Sequence, residues 1–129
     1  MSHQILQVNF KFNVSREQYE DTVSPMAQDF AEVPGCLWKI WLMNEADNEA
    51  GGIYLFADEA SMEKFKGSPL VASVLSHPAL GDFSIKQFEV LEKISRVTRA
   101  PLAMTAAGVG ITVIGREGRT ATFLKTSLV

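Results

Sequence analysis

Residues 34–59 read PGCLWKIWLMNEADNEAGGIYLFADE, and the fold turns on them. Pro34-Gly35 is a turn, and the apolar run Leu37–Met43 after it is short and β-rich enough to be a strand. Residues Asn44–Glu49 are polar and make the connection of a hairpin, with Gly51–Phe56 as the returning strand. Asp58 then caps a helix. Leu37–Met43 is apolar apart from Lys39. Alternation puts Cys36, Trp38, Ile40 and Leu42 on one side and Leu37, Trp41 and Met43 on the other, so the strand reads as covered on both faces. The two tryptophans of the chain therefore point opposite ways, and at most one faces any given cavity.

N-terminal to this hairpin, Leu6, Val8, Phe10 and Phe12 alternate with Gln7, Asn9, Lys11 and Asn13, the period of a half-buried strand. Ser15 with Gln18 forms a capping-box pattern. Tyr19, Val23, Met26, Ala27 and Phe30 follow at helical spacing as the buried stripe. Pro25 interrupts that helix, which predicts a kink or a restart capped by Ser24. On the other side of the hairpin the helix from Asp58 runs through Phe65 and stops at Gly67-Ser68-Pro69. A short helix follows over Pro69–Ser76, and Phe83–Ile94 reads as a long last strand. The order strand, helix, strand, strand, helix, strand is the split βαβ, ferredoxin-like α+β arrangement with an antiparallel sheet. The helices cover one sheet face, and strands apolar on the other predict a homodimer that packs sheet against sheet. Residues 101–129 read as a C-terminal extension, with Ile111–Ile114 and Thr120–Leu124 as a hairpin around Gly115–Gly118 or as a dimer arm, beside a body of residues 1–100.

The 129 residues fit one such body. Hydrophobic and charged contents of 47% and 21% are those of a soluble globule. A net charge of −3 speaks against a nucleic-acid surface, and no apolar run approaches a membrane span. The single cysteine, Cys36, cannot form an internal disulfide. With no basic, apolar leader at the start, it predicts a reducing, cytoplasmic setting.

No nucleophile elbow, phosphate loop or paired-cysteine metal site is present. The only histidines are His3 and His77, too few for a histidine-rich metal site. Cys36 reads as a buried structural thiol. Trp38 is core filler or pocket wall, and Trp41 is core or dimer contact. Tyr54 packs in the core or supplies a phenolic donor to a cavity. Asn9 lies on the polar side of its strand, facing solvent, a second subunit or a site. His77, in Ser76-His77-Pro78, is a helix-end histidine, a pocket acid/base or a metal or haem ligand. Arg96 and Arg99 end the last strand, solvated or placed to steady an anionic phenolate.

The segments Pro34-Gly35-Cys36-Leu37-Trp38-Lys39-Ile40-Trp41 and Glu49-Ala50-Gly51-Gly52-Ile53-Tyr54-Leu55-Phe56-Ala57-Asp58-Glu59 resemble the YdhR-type monooxygenases. So do Pro25 within the first helix and the ending Ser95–Ala100, over about residues 4–100. That family is similar to the dimeric α/β-barrel group of antibiotic-biosynthesis, quinol and haem-degrading monooxygenases. The resemblance implies two ferredoxin-like protomers, each with a pocket between sheet and helices, and cofactor-independent oxygenation of a phenolic or quinoid aromatic molecule by O₂. Tyr54 and Trp38 are then the donor and wall, with Asn9 and His77 as secondary site residues and no cofactor or metal. Three other readings stay open: a non-catalytic binder or sensor of small aromatic molecules, an isomerase-type or purely structural dimer, and a haem-binding or haem-degrading protein using Asn9, Trp38 or Trp41, and His77.

Overall fold

The computed structural model describes residues 2–102, 110–114 and 120–124, with side chains described for residues 2–102. Close contacts divide the chain into two compact units, Met1–Val90 and Leu91–Val129.

The first unit holds strands β1 (Gln4–Phe12), β2 (Cys36–Asn44), β3 (Glu49–Phe56) and β4 (Leu80–Glu89). They form one sheet in the order β2-β3-β1-β4, with antiparallel neighbours throughout. This is the ferredoxin-like sheet that the element order implies. Helix α1 (Arg16–Val23) starts at the capping box as expected, with the Ser15 hydroxyl accepting from Gln18 N and the Gln18 side chain accepting from Ser15 N. Pro25 produces the kink: a 3-10 turn over Ser24–Met26 separates α1 from α2 (Ala27–Ala31). Ser24 does not cap the restart, because its hydroxyl donates back to the Glu20 carbonyl at 2.6 Å. Asp58 caps α3 (Glu59–Lys66) through Ser61 N at 2.7 Å, and Ser68 caps α4 (Pro69–Leu75) through Val71 N at 3.3 Å.

Pairing across the sheet sorts the side chains into two faces. Leu6, Val8 and Phe10 of β1 oppose Tyr54, Gly52 and Ala50 of β3, which in turn oppose Lys39, Trp41 and Met43 of β2. This face packs on the helices. Leu6, Phe30, Cys36, Tyr54, Phe56, Met62 and Phe65 form one core cluster, and Phe10, Phe12, Tyr19 and Ala50 form a second. Phe56, Leu6 and Met62 are fully buried, each worth about 1.5–3 kcal/mol relative to exposure. On the opposite face, one row is Trp38, Leu55, Ile5 and Phe88, and the next is Ile40, Ile53, Gln7 and Lys86. Ile40 and Phe88 there are 53% and 49% exposed.

Two expectations need correction. The β2/β3 register shifts between Cys36 and Trp38, so Leu37 is accommodated as an extra residue. This bulge moves Cys36 to the helix side with Lys39, Trp41 and Met43, away from Trp38, Ile40 and Leu42. The last strand runs over Leu80–Glu89 rather than Phe83–Ile94, and residues Glu92–Val97 form α5. An Arg96–Glu92 ion pair at 2.9 Å spans one turn of it. The strand starts early because a second register shift, between Asn9 and Lys11, lets Leu80 pair with Phe12; Asp82 sits there at φ 52.

The second unit contains α5 and strands β5 (Gly110–Ile114) and β6 (Thr120–Leu124), paired antiparallel from Gly110↔Leu124 to Ile114↔Thr120. The unit begins at Leu91, whereas the sequence reading put the boundary at residue 100. The difference follows from α5, which the strand reading had absorbed into the body. The expected turn over Gly115–Gly118 lies outside the described residues.

Candidate active site

Between the sheet's covered face and helices α1, α2 and α4 lies a narrow cavity with about 30 Å³ of water-accessible space. Its wall includes Tyr19, Phe30, Lys39, Trp41, Tyr54 and His77. It opens beside two wider recesses. One, of about 250 Å³, shares Val8, Phe30, Tyr54 and Val74 with it and extends along Phe65, Val71 and Leu75. The other, of about 350 Å³, shares Tyr19, Val23 and Trp41 and reaches Arg16 and Glu20 at the surface.

Lys39 is the unexpected centre of this site. Its Nζ sits 3.5 Å from the ring centroid of Phe30, 3.4 Å from that of Trp41 and 4.7 Å from that of Tyr54. Among the described residues no carboxylate pairs with it. Burial lowers the amine from 10.5 to about 7, and the neighbouring Cys36 opposes this weakly. The ring faces favour the ammonium form and work against the same shift. The rings hold one another as well: Phe30 meets Trp41 edge-on at 5.4 Å and 87°, and Tyr54 lies 5.1 Å from Phe65.

The Gly-Gly step shapes this cage. A Cβ at Gly52 would stand 2.7 Å from Lys39 Cε, so the missing side chain is where the lysine stem lies. At Gly51 a Cβ would meet the Val8 carbonyl oxygen at 1.9 Å, so only glycine lets β1 approach β3 there.

Three polar groups face the cavity. The Tyr19 hydroxyl is buried without a hydrogen-bond partner, and burial pushes its phenol up to about 12. The Tyr54 phenol is also pushed up, first by burial and then by Cys36 and Tyr19. His77 accepts a hydrogen bond from Ala79 N at its Nδ1, 3.1 Å away, which fixes the ring and leaves Nε2 as the other polar atom. The Cys36 thiol, 3.4 Å from the Trp38 carbonyl, is raised by burial to about 11 and behaves as a core group.

Of the residues singled out in the sequence, Tyr54 and His77 line this cavity. Trp38 and Asn9 do not, because strand parity sends both to the opposite sheet face, where Asn9 Oδ1 accepts from Gln7 Nε2 at 2.9 Å. Trp41 takes the wall position that Trp38 was expected to fill. Arg96 lies in α5 and Arg99 follows it at φ 67, so neither ends a strand. Sequence reasoning missed Lys39 and Tyr19 as site residues. The signal for Lys39 was present: a lone charge between two tryptophans in an otherwise apolar strand. The haem reading needs an Asn, a Trp and a His together, and Asn9 stands across the sheet from His77. Among the described residues, no cluster of three or more His, Cys, Asp or Glu side chains is placed to hold a metal ion.

The family model described as "Putative mono-oxygenase ydhR" matches residues 5–101. The chain belongs to the ydhR family. No curated protein matches it. Among solved structures it is similar to SnoaB, a cofactor-independent oxygenase from Streptomyces nogalater, at 17% identity and a TM-score of 0.59, covering 71% of this chain and 96% of that one. It is similar to a "putative antibiotic biosynthesis monooxygenase" from Deinococcus radiodurans at 18% identity and a TM-score of 0.56, covering 69% and 93%. The heme-degrader MhuD from Mycobacterium tuberculosis, with two hemes bound in its active site, matches at 16% identity and a TM-score of 0.54, covering 67% and 95%. At these identities the likeness is one of fold. The ydhR match and the fold agree with the resemblance drawn from the 34–59 stretch.

Proposed function

We propose that this ydhR-family protein is a cofactor-independent monooxygenase acting on a phenolic or quinoid aromatic molecule bound between sheet and helices. The observation that carries the reading is an amine, Lys39, enclosed by Phe30, Trp41 and Tyr54 with no carboxylate to neutralise it. Such a group accepts a proton from a bound phenol and then stabilises the phenolate it has made. The electron-rich anion passes one electron to O₂, and the radical pair combines into a peroxide at a ring or benzylic carbon. The O–O bond then breaks: one oxygen stays as the new carbonyl, and the other leaves as water with the one hydrogen left on that carbon and the proton that Lys39 had taken. No external reductant is consumed. The aromatic ring lies in the wider recess against Phe30, Tyr54 and Phe65, and the phenols of Tyr19 and Tyr54 or His77 Nε2 donate to the developing oxyanion. The similarity in fold to SnoaB, a cofactor-independent oxygenase, supports the same chemistry class.

In this reading Trp38 and Asn9 serve the sheet face opposite the helices, which packs against a second copy to give a homodimer of two pockets in the cytoplasm. Among the described residues no helix is long and apolar enough to cross a membrane. The test is oxygen uptake with a panel of naphthalene hydroquinones and anthrones under ¹⁸O₂. One ¹⁸O atom should enter each product, anaerobic turnover should vanish, and Lys39→Met should lose at least about tenfold in rate. Saturable quenching of tryptophan fluorescence with no oxygen uptake for any compound would instead make the cavity that of a non-catalytic binder.

A further inference from the structure

The four other lysines of the first unit, Lys11, Lys64, Lys66 and Lys86, serve as a contrast to Lys39. Lys11 lies 4.0 Å from Glu49 and donates to the Asp47 carbonyl at 3.1 Å, and Lys66 pairs with Glu63 at 3.0 Å. Lys64 and Lys86 are exposed. Lys39 alone ends among ring faces, beside a cavity that also holds an unpartnered, buried hydroxyl, that of Tyr19. A lysine in such surroundings has the attributes of an amine nucleophile: apolar walls, no counter-charge and a hydroxyl to assist proton transfer.

We propose that Lys39 is a covalent capture site for small aromatic aldehydes, with its amine adding to the carbonyl carbon to form an imine. In the first step the nitrogen lone pair forms the C–N bond, and the carbonyl oxygen takes up the amine's proton to give a carbinolamine. In the second step the C–O bond breaks, the hydroxyl leaves with the second amine proton as water, and the C=N bond remains. The Tyr19 phenol donates to the departing hydroxyl. Neither step needs an oxidant or reductant.

The size of the cavity selects the ligand. About 30 Å³ beside Lys39 admits a carbonyl group and excludes a ring. The ring must then lie in the 250 Å³ recess, across Phe30, Tyr54 and Phe65, which suits a one- or two-ring aryl aldehyde. An exposed lysine near 10.4 has about one amine in a thousand unprotonated at pH 7.4, whereas Lys39, lowered to about 7, has a large share in that form. The capture needs no O₂ and stands independently of the oxygenation reading.

The test is anaerobic incubation of the full chain at pH 7.5 with 2-naphthaldehyde and cyanoborohydride, which reduces an imine to a stable secondary amine. Peptide mapping should place the adduct on Lys39 at a rate at least about tenfold above any other lysine. It should be absent in Lys39→Arg, and slowed in Tyr19→Phe, which keeps the amine. Naphthalene-2-methanol, which lacks the carbonyl, should protect Lys39 by occupying the recess. Labelling spread over Lys64, Lys86 and Lys93 with Lys39 unmodified would overturn the proposal. Equal labelling of the wild type and a folded Lys39→Arg protein would overturn it as well. An unchanged rate in Tyr19→Phe would remove the role given to that hydroxyl. Because O₂ is absent throughout, failure here leaves the oxygen-uptake experiment untouched, and failure there leaves this one standing.

Discussion

Replacing Lys39 by methionine keeps an unbranched chain in the space over Gly52 and removes the amine, and the consequence is calculable. In the folded protein burial lowers the amine from 10.5 to about 7, while an unfolded chain keeps its lysine protons to about 10.4. Between these values the unfolded chain binds more protons, so folding stability rises with pH. The contribution is fully present above about 10.5 and is lost as pH falls toward 7. At 1.36 kcal/mol per pH unit the interval corresponds to about 5 kcal/mol as an upper bound. Cation–π attraction to rings at 3.4 and 3.5 Å returns about 1–2 kcal/mol to the ammonium form. With partial exposure, a net cost of about 2–3 kcal/mol at pH 7 remains. The methionine variant should therefore be the more stable protein at pH 7. With a urea slope of about 1.5 kcal/mol/M its midpoint should lie roughly 1.5 M higher, and the gap should narrow by about 2 kcal/mol by pH 10. Cys36, raised to about 11, costs both proteins stability as pH climbs above about 9, so it cancels in the difference. Urea titrations of both proteins at four pH values from 7 to 10 make the measurement. A gap that does not change with pH, or a methionine variant less stable at pH 7, refutes the claim that Lys39 is held at a cost in an apolar cage.

Gly51→Ala should cost more than about 3 kcal/mol, because its Cβ would strike the Val8 backbone oxygen at 1.9 Å, whereas Gly52→Ala should cost about 1 kcal/mol because the flexible Lys39 stem can move; denaturant midpoints rank the two, and the reverse order would refute the assignment. Tyr19→Phe should stabilise the fold by about 1 kcal/mol, since it removes a buried hydroxyl that has no partner; a loss of stability by thermal denaturation would mean the hydroxyl is satisfied. Ile40→Lys together with Phe88→Lys should leave the fold intact and convert a sheet-to-sheet dimer to monomers in sedimentation, as these residues are 53% and 49% exposed on the face opposite the helices; a wild-type protein that sediments as a monomer at micromolar concentration would remove the dimer.

The sequence by itself determined the elements of the first unit up to β4 and their order. The Ser15–Gln18 capping box, the Asp58 cap and the alternation of Leu6 to Phe12 are local signals, satisfied within a few residues, so they read correctly without knowing what packs on them. It also located the hairpin that carries the site and the family it belongs to. Val90 to Ile94 was misread as strand because so short a run has no decisive period; whether it pairs as a strand or coils as α5 depends on which partners its backbone finds. Which tryptophan faces the helices was decided by tertiary structure. Alternation separates Trp38 from Trp41 but carries no label for inside and outside, and the label comes only from the pairing of Lys39 with Tyr54 and Trp41 with Gly52. The site itself is of the same kind. A lysine in a strand is ordinarily a solvated charge, and Lys39 becomes a desolvated amine only because Phe30 from α2, Trp41 from its own strand and Tyr54 from β3 converge on it, residues 9, 2 and 15 positions away that no local pattern joins.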